Sequence, residues 1–214
     1  MKLYTYFRSS AAFRVRIALN IKGIAYQSIP IHLLRDGGEH KKPSYRAINP
    51  QGRVPALAVD GPAGETILTQ SLAIIDYLDE TVPEPPLLPG DALGRAKVRA
   101  LAQVIACDTH PLNNPLVTGY LKSVVGASQE AADRWYAHFI REGFSAMERM
   151  VGPGPYCWGD TVTVADLCLV PQMFNARRFK VPVEDFPRLV AITDACMALK
   201  PFADAQPSAQ PDAE

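Results

Sequence analysis

A pair of serines stands where the first predicted strand meets the first predicted helix. Residues 2–6 alternate as a strand does, residues 10–22 repeat apolar side chains at helical spacing, and Ser9 and Ser10 mark the junction. The start of a helix presents unpaired backbone N–H groups and a partial positive charge, to which serine hydroxyls add donors. This junction could hold a thiolate or a carboxylate. The alternative is that both serines are plain N-cap residues and that Arg14 and Arg16 are solvated surface charges.

Two other segments have residues suited to binding an extended peptide. A cis bond at Val54-Pro55 would turn the Val54 backbone outward to pair with such a peptide, and an ordinary trans proline is the alternative. Ser71 as N-cap of the next helix offers a second carboxylate site, and the Gln70 amide can both donate and accept. N-capping alone explains Ser71 equally well. All three segments fall where strand ends and helix starts of one small domain converge, which favours a binding site there.

The chain that positions these residues divides into two predicted domains. Residues 1–80 give the order strand, helix, strand, irregular or helical segment, strand, strand and helix, with a hairpin turn at 61–64. That order is typical of a compact α/β domain. Four prolines within residues 81–90 predict a stiff linker. Residues 91–214 predict an all-α domain, with helices near 91–126, 128–150, 163–179 and 187–199 and a fraying tail at 205–214.

Amino-acid composition limits the classes of binding partner that we expect. The 22 basic and 22 acidic residues balance, so no overall field would recruit nucleic acid or an anionic membrane, and a small-molecule partner is favoured. No stretch approaches the length of a membrane span and the first residues lack the apolar run of a signal peptide, so we expect a cytoplasmic protein. We predict no metal site. The four cysteines lack CxxC spacing and are expected to be buried free thiols: Cys107, Cys157, Cys168 and Cys196.

Several stretches together resemble the zeta class of the glutathione transferase family. In that class, paired serines and a cysteine precede an arginine-rich first helix, and residues 6–19 follow this pattern except for the cysteine. Residues 49–57, 70–78, 160–172 and 175–181 are similar to the family in order and spacing, so the resemblance extends over most of the chain. It implies a thioredoxin-like N-terminal domain, an all-α C-terminal domain, a homodimer, and an activity as maleylacetoacetate or maleylpyruvate isomerase.

The resemblance also implies glutathione as cofactor. Glutathione would lie along the Val54 backbone, with its γ-glutamyl carboxylate on Gln70 and Ser71 and its thiol near the two serines. His40 could reach its glycyl end, although a solvated loop histidine is as good an interpretation. The implied cofactor-binding residues are Ser9, Ser10, Ala11, His40, Gln51, Val54, Gln70, Ser71, His110 and Asn114.

The implied reaction is addition of the glutathione thiolate to the cis double bond of a maleyl dicarboxylate, rotation, and elimination of the fumaryl isomer. Arg8 and Arg178, with His110, would hold the carboxylates and offset developing negative charge. These residues and the serines are the implied catalytic set: Arg8, Ser9, Ser10, His110 and Arg178. Because Pro111 follows His110, we expect that histidine to depart from helical geometry and point toward the cleft, a structural or exposed histidine being the alternative.

One position departs from the family pattern, and two other functions stay open. Ala11 stands where the class has its cysteine, so chemistry that needs a protein thiol is excluded at this position and glutathione must supply the nucleophile. The first alternative is a general transferase that conjugates glutathione to electrophiles. The second is a non-enzymatic dimeric binding module, which would have no affinity for glutathione.

Overall fold

The computed structural model describes residues 1–61 and 64–214. They form two compact units, Met1–Pro86 with Ala198–Glu214, and Leu87–Met197. The division falls within the predicted 81–90 linker. The C-terminal segment is grouped differently from the prediction, which placed residues 91–214 in one domain. Within the described ranges, no helix has both the length and the apolar character needed to cross a bilayer.

The first unit is built on a four-stranded mixed sheet. Its strands are β1 (Lys2–Thr5), β2 (Gln27–Pro30), β3 (Ala56–Gly61) and β4 (Gly64–Thr69), in the order β2-β1-β3-β4. β2 runs parallel to β1, whereas β3 is antiparallel to both β1 and β4. β2, which contains Pro30, lies at an edge of the sheet, a position where strands tolerate proline. Of the predicted turn at 61–64, residues 62 and 63 lie outside the described residues.

Helix α1 (Ser10–Ile21) is buried on nearly every side. It packs against α3 (Ser71–Thr81) and against α10 (Lys200–Ala205), and its residues from Ala12 to Leu19 are all buried. The alternative interpretation of solvated arginines on this helix is therefore wrong, because Arg14 is only 2% exposed and Arg16 is completely buried. The short helix α2 (Pro43–Arg46) and two 3₁₀ turns, Arg35–Gly37 and Glu39–Lys41, fill the predicted irregular or helical segment.

The C-terminal segment is ordered against this unit, contrary to the predicted fraying. Phe202 and Ala205 are completely buried, and a 3₁₀ turn at Pro207–Ala209 follows α10. The Asn20 side-chain amide on α1 donates to the Pro201 carbonyl at 3.0 Å. Within the tail at 205–214, Pro207 is buried and Asp212 accepts from the Phe7 N–H at 3.0 Å, contacts that its polar composition did not suggest.

The second unit is all helical, as predicted. Its helices are α4 (Ala92–Gln103), α5 (His110–Asn113), α6 (Pro115–Ser123), α7 (Gln129–Met150), α8 (Val164–Arg178) and α9 (Pro187–Met197), with a π-helical segment at Val104–Thr109. Helix α8 is buried along most of its length and packs against α4 and α9. A capping box starts α8, because Asp166 accepts from the Thr163 N–H at 2.8 Å and Thr163 also caps the helix.

The three buried cysteines, Cys157, Cys168 and Cys196, match the prediction of buried free thiols. Cys107 is free but exposed, which corrects that prediction. It lies in the π-helical segment, on the surface of the second unit. Burial raises the pKa of the Cys157 and Cys196 thiols, and the neighbouring Asp166 carboxylate raises them further. These thiols are therefore poor nucleophiles at neutral pH.

Candidate active site

The strand register brings the loops of the first unit to one edge of the sheet. Tyr4 near the end of β1 pairs with Ala56 at the start of β3, and Ala56 pairs with Thr69 at the end of β4. On the other side, Thr5 pairs with Pro30 at the end of β2. The segments that follow β1, β2 and β4 and the segment that precedes β3 therefore leave the sheet together. This is the convergence that the sequence predicted.

At the serine junction, Ser9 combines a helix cap with a hydroxyl that can donate. Ser9 is the N-cap of α1, and its Oγ accepts from the Ala12 N–H at 3.2 Å. A hydroxyl that accepts at a cap keeps its own O–H to donate. Ser10 is the first helical residue and is 4% exposed, and Ala11 follows it in the first turn. The first turn of a well-covered helix thus presents hydroxyl and backbone donors together.

Arg16 fixes the backbone that leads into this junction. Its Nη2 donates to the Phe7 carbonyl at 3.0 Å and its Nη1 to the Thr5 hydroxyl at 3.1 Å. Its Nε donates to the Ala205 carbonyl at 3.0 Å. Burial lowers the pKa of Arg16 to about 10, so the guanidinium remains charged at neutral pH. Sequence reasoning missed this role, although an arginine inside an apolar run was a usable signal.

The segment before β3 offers an unpaired backbone edge. The Val54-Pro55 bond is cis, which resolves the alternative left open by the sequence. The Arg53 carbonyl accepts from the Tyr45 hydroxyl and from the Asn49 side-chain amide, both at 2.7 Å. Within the part of the chain that the structure describes, the Val54 N–H and carbonyl make no hydrogen bond. They are available to pair with an extended peptide.

The start of α3 differs from the prediction in one detail. Gln70, not Ser71, is the N-cap, and it has a φ of 69°, a left-handed conformation that is costly for a residue with a side chain. Such strain is often kept at binding sites. The Gln70 amide donates to the Gln51 side-chain oxygen at 2.7 Å. Ser71, the first helical residue, accepts from Arg14 Nη1 at 3.1 Å, so a buried cation lies at the predicted carboxylate site.

His40 lies in the 3₁₀ turn Glu39–Lys41, after β2. Its ring packs against Gly38, where an added Cβ would come within 2.5 Å of the imidazole, and Gly38 has a φ of 102°. Among the described residues, its buried Nδ1 has no hydrogen-bond partner. Burial lowers the pKa of His40, and the nearby cations Lys41 and Arg46 lower it further. The imidazole is therefore neutral near pH 7 and has a nitrogen left to bond.

In the second unit, His110 is the first residue of the short helix α5 and Asn114 directly follows its last residue. His110 has φ and ψ of −59° and −41°, so the expected departure from helical geometry is wrong. A π-helical segment, Val104–Thr109, lies directly before it. Asn114 caps α6 by accepting from the Leu116 N–H at 2.9 Å, while its amide donates to the Pro111 carbonyl at 2.7 Å. Its side chain is engaged in local structure.

Two of the predicted arginines have no acidic partner among the described residues. Arg178, the last residue of α8, places its guanidinium 4.8 Å from the Phe179 ring centre and lies near the Tyr136 hydroxyl. The adjacent Arg177 instead pairs with Asp194 at 3.1 Å. In the first unit, Arg8 lies over the Phe7 ring at 4.6 Å. Both guanidiniums can therefore donate hydrogen bonds to a ligand carboxylate.

Comparison with known proteins adds independent evidence. Residues 3–86 match the family described as "Glutathione S-transferase, N-terminal domain", and residues 112–203 match the corresponding C-terminal domain. Maleylacetoacetate isomerase of Pseudomonas aeruginosa is 48% identical over 99% of this chain and 98% of its own length.

Two solved structures are closely similar. The holo structure of a maleylpyruvate isomerase, a bacterial zeta-class glutathione S-transferase, superimposes with a TM-score of 0.94 at 44% identity and covers 100% of both chains. A maleylacetoacetate isomerase from Methylobacterium extorquens AM1, with malonate and glutathione bound, gives 0.93 at 44% identity, again over 100% of both chains. The resemblance drawn from the sequence is confirmed by these comparisons.

Proposed function

Because the chain belongs to the glutathione S-transferase family, we propose that it is a glutathione-dependent cis-trans isomerase that converts a maleyl dicarboxylate into its fumaryl isomer. The observation that carries the proposal is the sheet edge of the first unit. There the Val54 backbone has no hydrogen bond within the described residues, and polar or cationic groups lie at the start of α3 and at His40. This arrangement suits a peptide with two carboxylates and a thiol. Maleylpyruvate and maleylacetoacetate, the substrates named for its relatives, share the reacting unit and are both candidates.

The first unit would hold glutathione as an added strand. The Val54 backbone pairs with the peptide, and Gln70 and Ser71, with Gln51 behind Gln70, receive the γ-glutamyl carboxylate. His40 receives the glycyl carboxylate with its unpartnered nitrogen. In support of this orientation, the helix start of α3 and the buried guanidinium of Arg14 provide positive charge at the γ-glutamyl end.

The serine junction would stabilise the thiolate. When bound, glutathione supplies the sulfur nucleophile whose reversible addition to the double bond permits rotation. Ser9 and Ser10 donate hydroxyl hydrogens, and the first turn of α1 adds its N–H groups and dipole. Each unit by which these donors lower the thiol pKa corresponds to about 1.4 kcal/mol, and a fall from about 8.5 to 7 makes the thiolate abundant at neutral pH.

Arg8, Arg178 and His110 would bind the substrate. Two guanidiniums that have no acidic partner in the described parts of the chain suit a dicarboxylate, and they can offset the negative charge that develops next to the double bond. Ala11 adds no thiol, so the serine junction cannot act as a protein redox centre. Asn114 would contact glutathione through its backbone, because its side chain is occupied in capping α6.

We also propose a cytoplasmic homodimer. Four free cysteines suit a reducing compartment in which glutathione is plentiful, and the dimer is supported by the family resemblance. Light scattering coupled to size-exclusion chromatography at micromolar concentration measures the dimer directly. A mass of a single chain would contradict it.

The decisive experiment follows the ultraviolet absorbance of enzymatically generated maleylpyruvate and maleylacetoacetate, with catalytic amounts of glutathione. The proposal expects isomerisation that requires glutathione and does not consume it. Stoichiometric loss of glutathione would indicate a conjugating transferase instead. No glutathione binding at all would favour a binding module.

Two adjacent arginines provide a matched test of substrate binding. Arg178→Ala should lower kcat/KM for the maleyl substrate about 10- to 100-fold, the equivalent of a charged hydrogen bond of about 1.5–3 kcal/mol, with little change in glutathione affinity. Arg177→Ala removes the neighbouring charge, which is already paired with Asp194, and should leave kcat/KM nearly unchanged. Equal losses of turnover and glutathione affinity in Arg178→Ala would contradict the assigned role.

A further inference from the structure

The peptide unit of Phe7 is held from both sides by groups distant in sequence. Its carbonyl accepts from Arg16 Nη2 at 3.0 Å, and its N–H donates to Asp212 Oδ2 at 3.0 Å. Phe7 is 3% exposed and stands two residues before Ser9. The Asp212 carboxylate and the Arg16 guanidinium thus hold the backbone that enters the serine junction.

The same C-terminal segment also holds the segment that follows β2. The Glu214 carboxylate pairs with the Arg35 guanidinium and lies 3.5 Å from His32 Nε2. The other nitrogen of His32 accepts from the Arg35 N–H at 2.7 Å, and the His32 N–H donates to Glu39 at 2.7 Å. This hydrogen-bonded chain ends next to His40.

The C-terminal segment that contains Asp212 is itself held in place by buried contacts. Phe202 is completely buried, and the Ala205 carbonyl is held by Arg16 in the interior. A buried backbone N–H without a partner is costly, so the Phe7 N–H has a strong requirement for an acceptor. Asp212 supplies that acceptor from a segment whose position is fixed independently.

We propose that Asp212 is a positioning residue for the thiol site: by accepting from the Phe7 N–H it fixes the backbone that orients Ser9 and Ser10. This inference rests on the proposed glutathione-dependent function. The property of Asp212 on which this positioning depends is its hydrogen-bond acceptor oxygen and not its negative charge. A negative charge near the site would raise the pKa of the bound thiol, whereas correct placement of the serines lowers it.

Two substitutions at this position separate the acceptor from the charge. Asp212→Asn loses the charge but keeps an oxygen that can accept from Phe7, whereas Asp212→Ala loses both. Asp204→Ala is the matched control, because Asp204 is an acidic residue of the same segment whose side chain pairs only with the exposed Lys200 among the described residues.

The first readout is the pKa of bound glutathione, followed by thiolate absorbance against pH, together with kcat and KM. We expect Asp212→Ala to raise the thiol pKa by about one unit and lower kcat about tenfold, a shift equal to the loss of one hydrogen bond. Asp212→Asn should keep the thiol pKa at or below the wild-type value and kcat within about threefold. Asp204→Ala should match the wild type in both.

The second readout needs neither glutathione nor activity. Amide hydrogen exchange over residues 6–10 should be at least about tenfold faster in Asp212→Ala than in the wild type, and close to the wild type in Asp212→Asn. A wild type that lacks isomerase activity would refute the proposed function but leave this measurement intact. Unchanged exchange in Asp212→Ala, or equal effects of the Ala and Asn substitutions, would overturn the positioning role. If Asp212→Ala does not fold, Asp212→Ser, whose shorter side chain cannot reach Phe7, takes its place.

Discussion

Gly143 permits a close helix contact next to His110, and replacing it by alanine should destabilise the second unit. A Cβ at Gly143 in α7 would lie 2.0 Å from Thr109 Oγ1 and 3.2 Å from Thr109 Cβ. Thr109 cannot simply rotate away, because its hydroxyl donates to the Val104 carbonyl at 2.8 Å within the π-helical segment. Relief of the overlap must break that hydrogen bond or separate the two elements.

One stabilising and two destabilising contributions set the change in the free energy of unfolding for Gly143→Ala. Glycine to alanine inside a helix ordinarily stabilises by about 1 kcal/mol. Overpacking costs about 1–3 kcal/mol, and loss of the Thr109 hydrogen bond costs about 1 kcal/mol more. We therefore expect Gly143→Ala to lower the free energy of unfolding by about 1–3 kcal/mol. Gly119→Ala in α6, where the added Cβ meets no described atom within 4 Å beyond the helix's own backbone and its chain neighbours, should raise it by up to about 1 kcal/mol.

Urea unfolding of the two single variants and of Gly143→Ala combined with Thr109→Ala measures these values. Thr109→Ala removes the closest atom and leaves a tight contact of 3.2 Å, so the coupling between the two sites should be at least about 1 kcal/mol. A Gly143→Ala variant as stable as Gly119→Ala would refute the reasoning. An unchanged cost in the Thr109→Ala background would refute it as well.

Two further predictions concern a buried ion pair and a histidine. Lys22 is completely buried at its side chain and donates to Asp79 at 2.6 Å and to the Pro85 carbonyl at 2.7 Å, so Asp79→Ala should lower the free energy of unfolding by about 3 kcal/mol in urea titrations. Adding Lys22→Met should recover part of that loss, and no recovery would contradict an unpaired charge as its cause. His40 has a lowered pKa in the free protein, and a ligand carboxylate beside it would raise that pKa, so binding should take up protons and weaken as pH rises. The measurement is calorimetry of the binding of S-methylglutathione, whose methylated sulfur cannot ionise, in buffers of different ionisation enthalpy. The wild type should take up protons on binding and His40→Gln should not. Equal proton uptake in both proteins would exclude His40 as the carboxylate partner.

Local sequence determined the elements and their ends, because hydrophobic period and capping act within a few residues. The α/β unit, the all-helical unit, the N-cap at Ser9 and the capping box of Thr163 and Asp166 were all readable in this way. The family was recognisable too, since its motifs are short runs of residues at fixed spacing. Placement of the strand ends at one edge followed from the order of the elements.

Tertiary structure decided what lies around each element. The sequence left open that Arg14 and Arg16 are surface charges, because a helical period does not reveal that α3 and α10 pack against α1 and that residues 12–19 are all buried. Ser71 lost its predicted N-cap role because Gln70 adopts a left-handed backbone beside Gln51.

The C-terminal segment is the clearest case of contacts that the local sequence does not predict. Its polar composition predicted fraying, yet Asp212 reaches Phe7, 205 residues earlier in the chain. The partners of a buried arginine and of a single backbone N–H are set by such long-range contacts. No local pattern encodes them, because each depends on where a distant segment packs after the chain has folded.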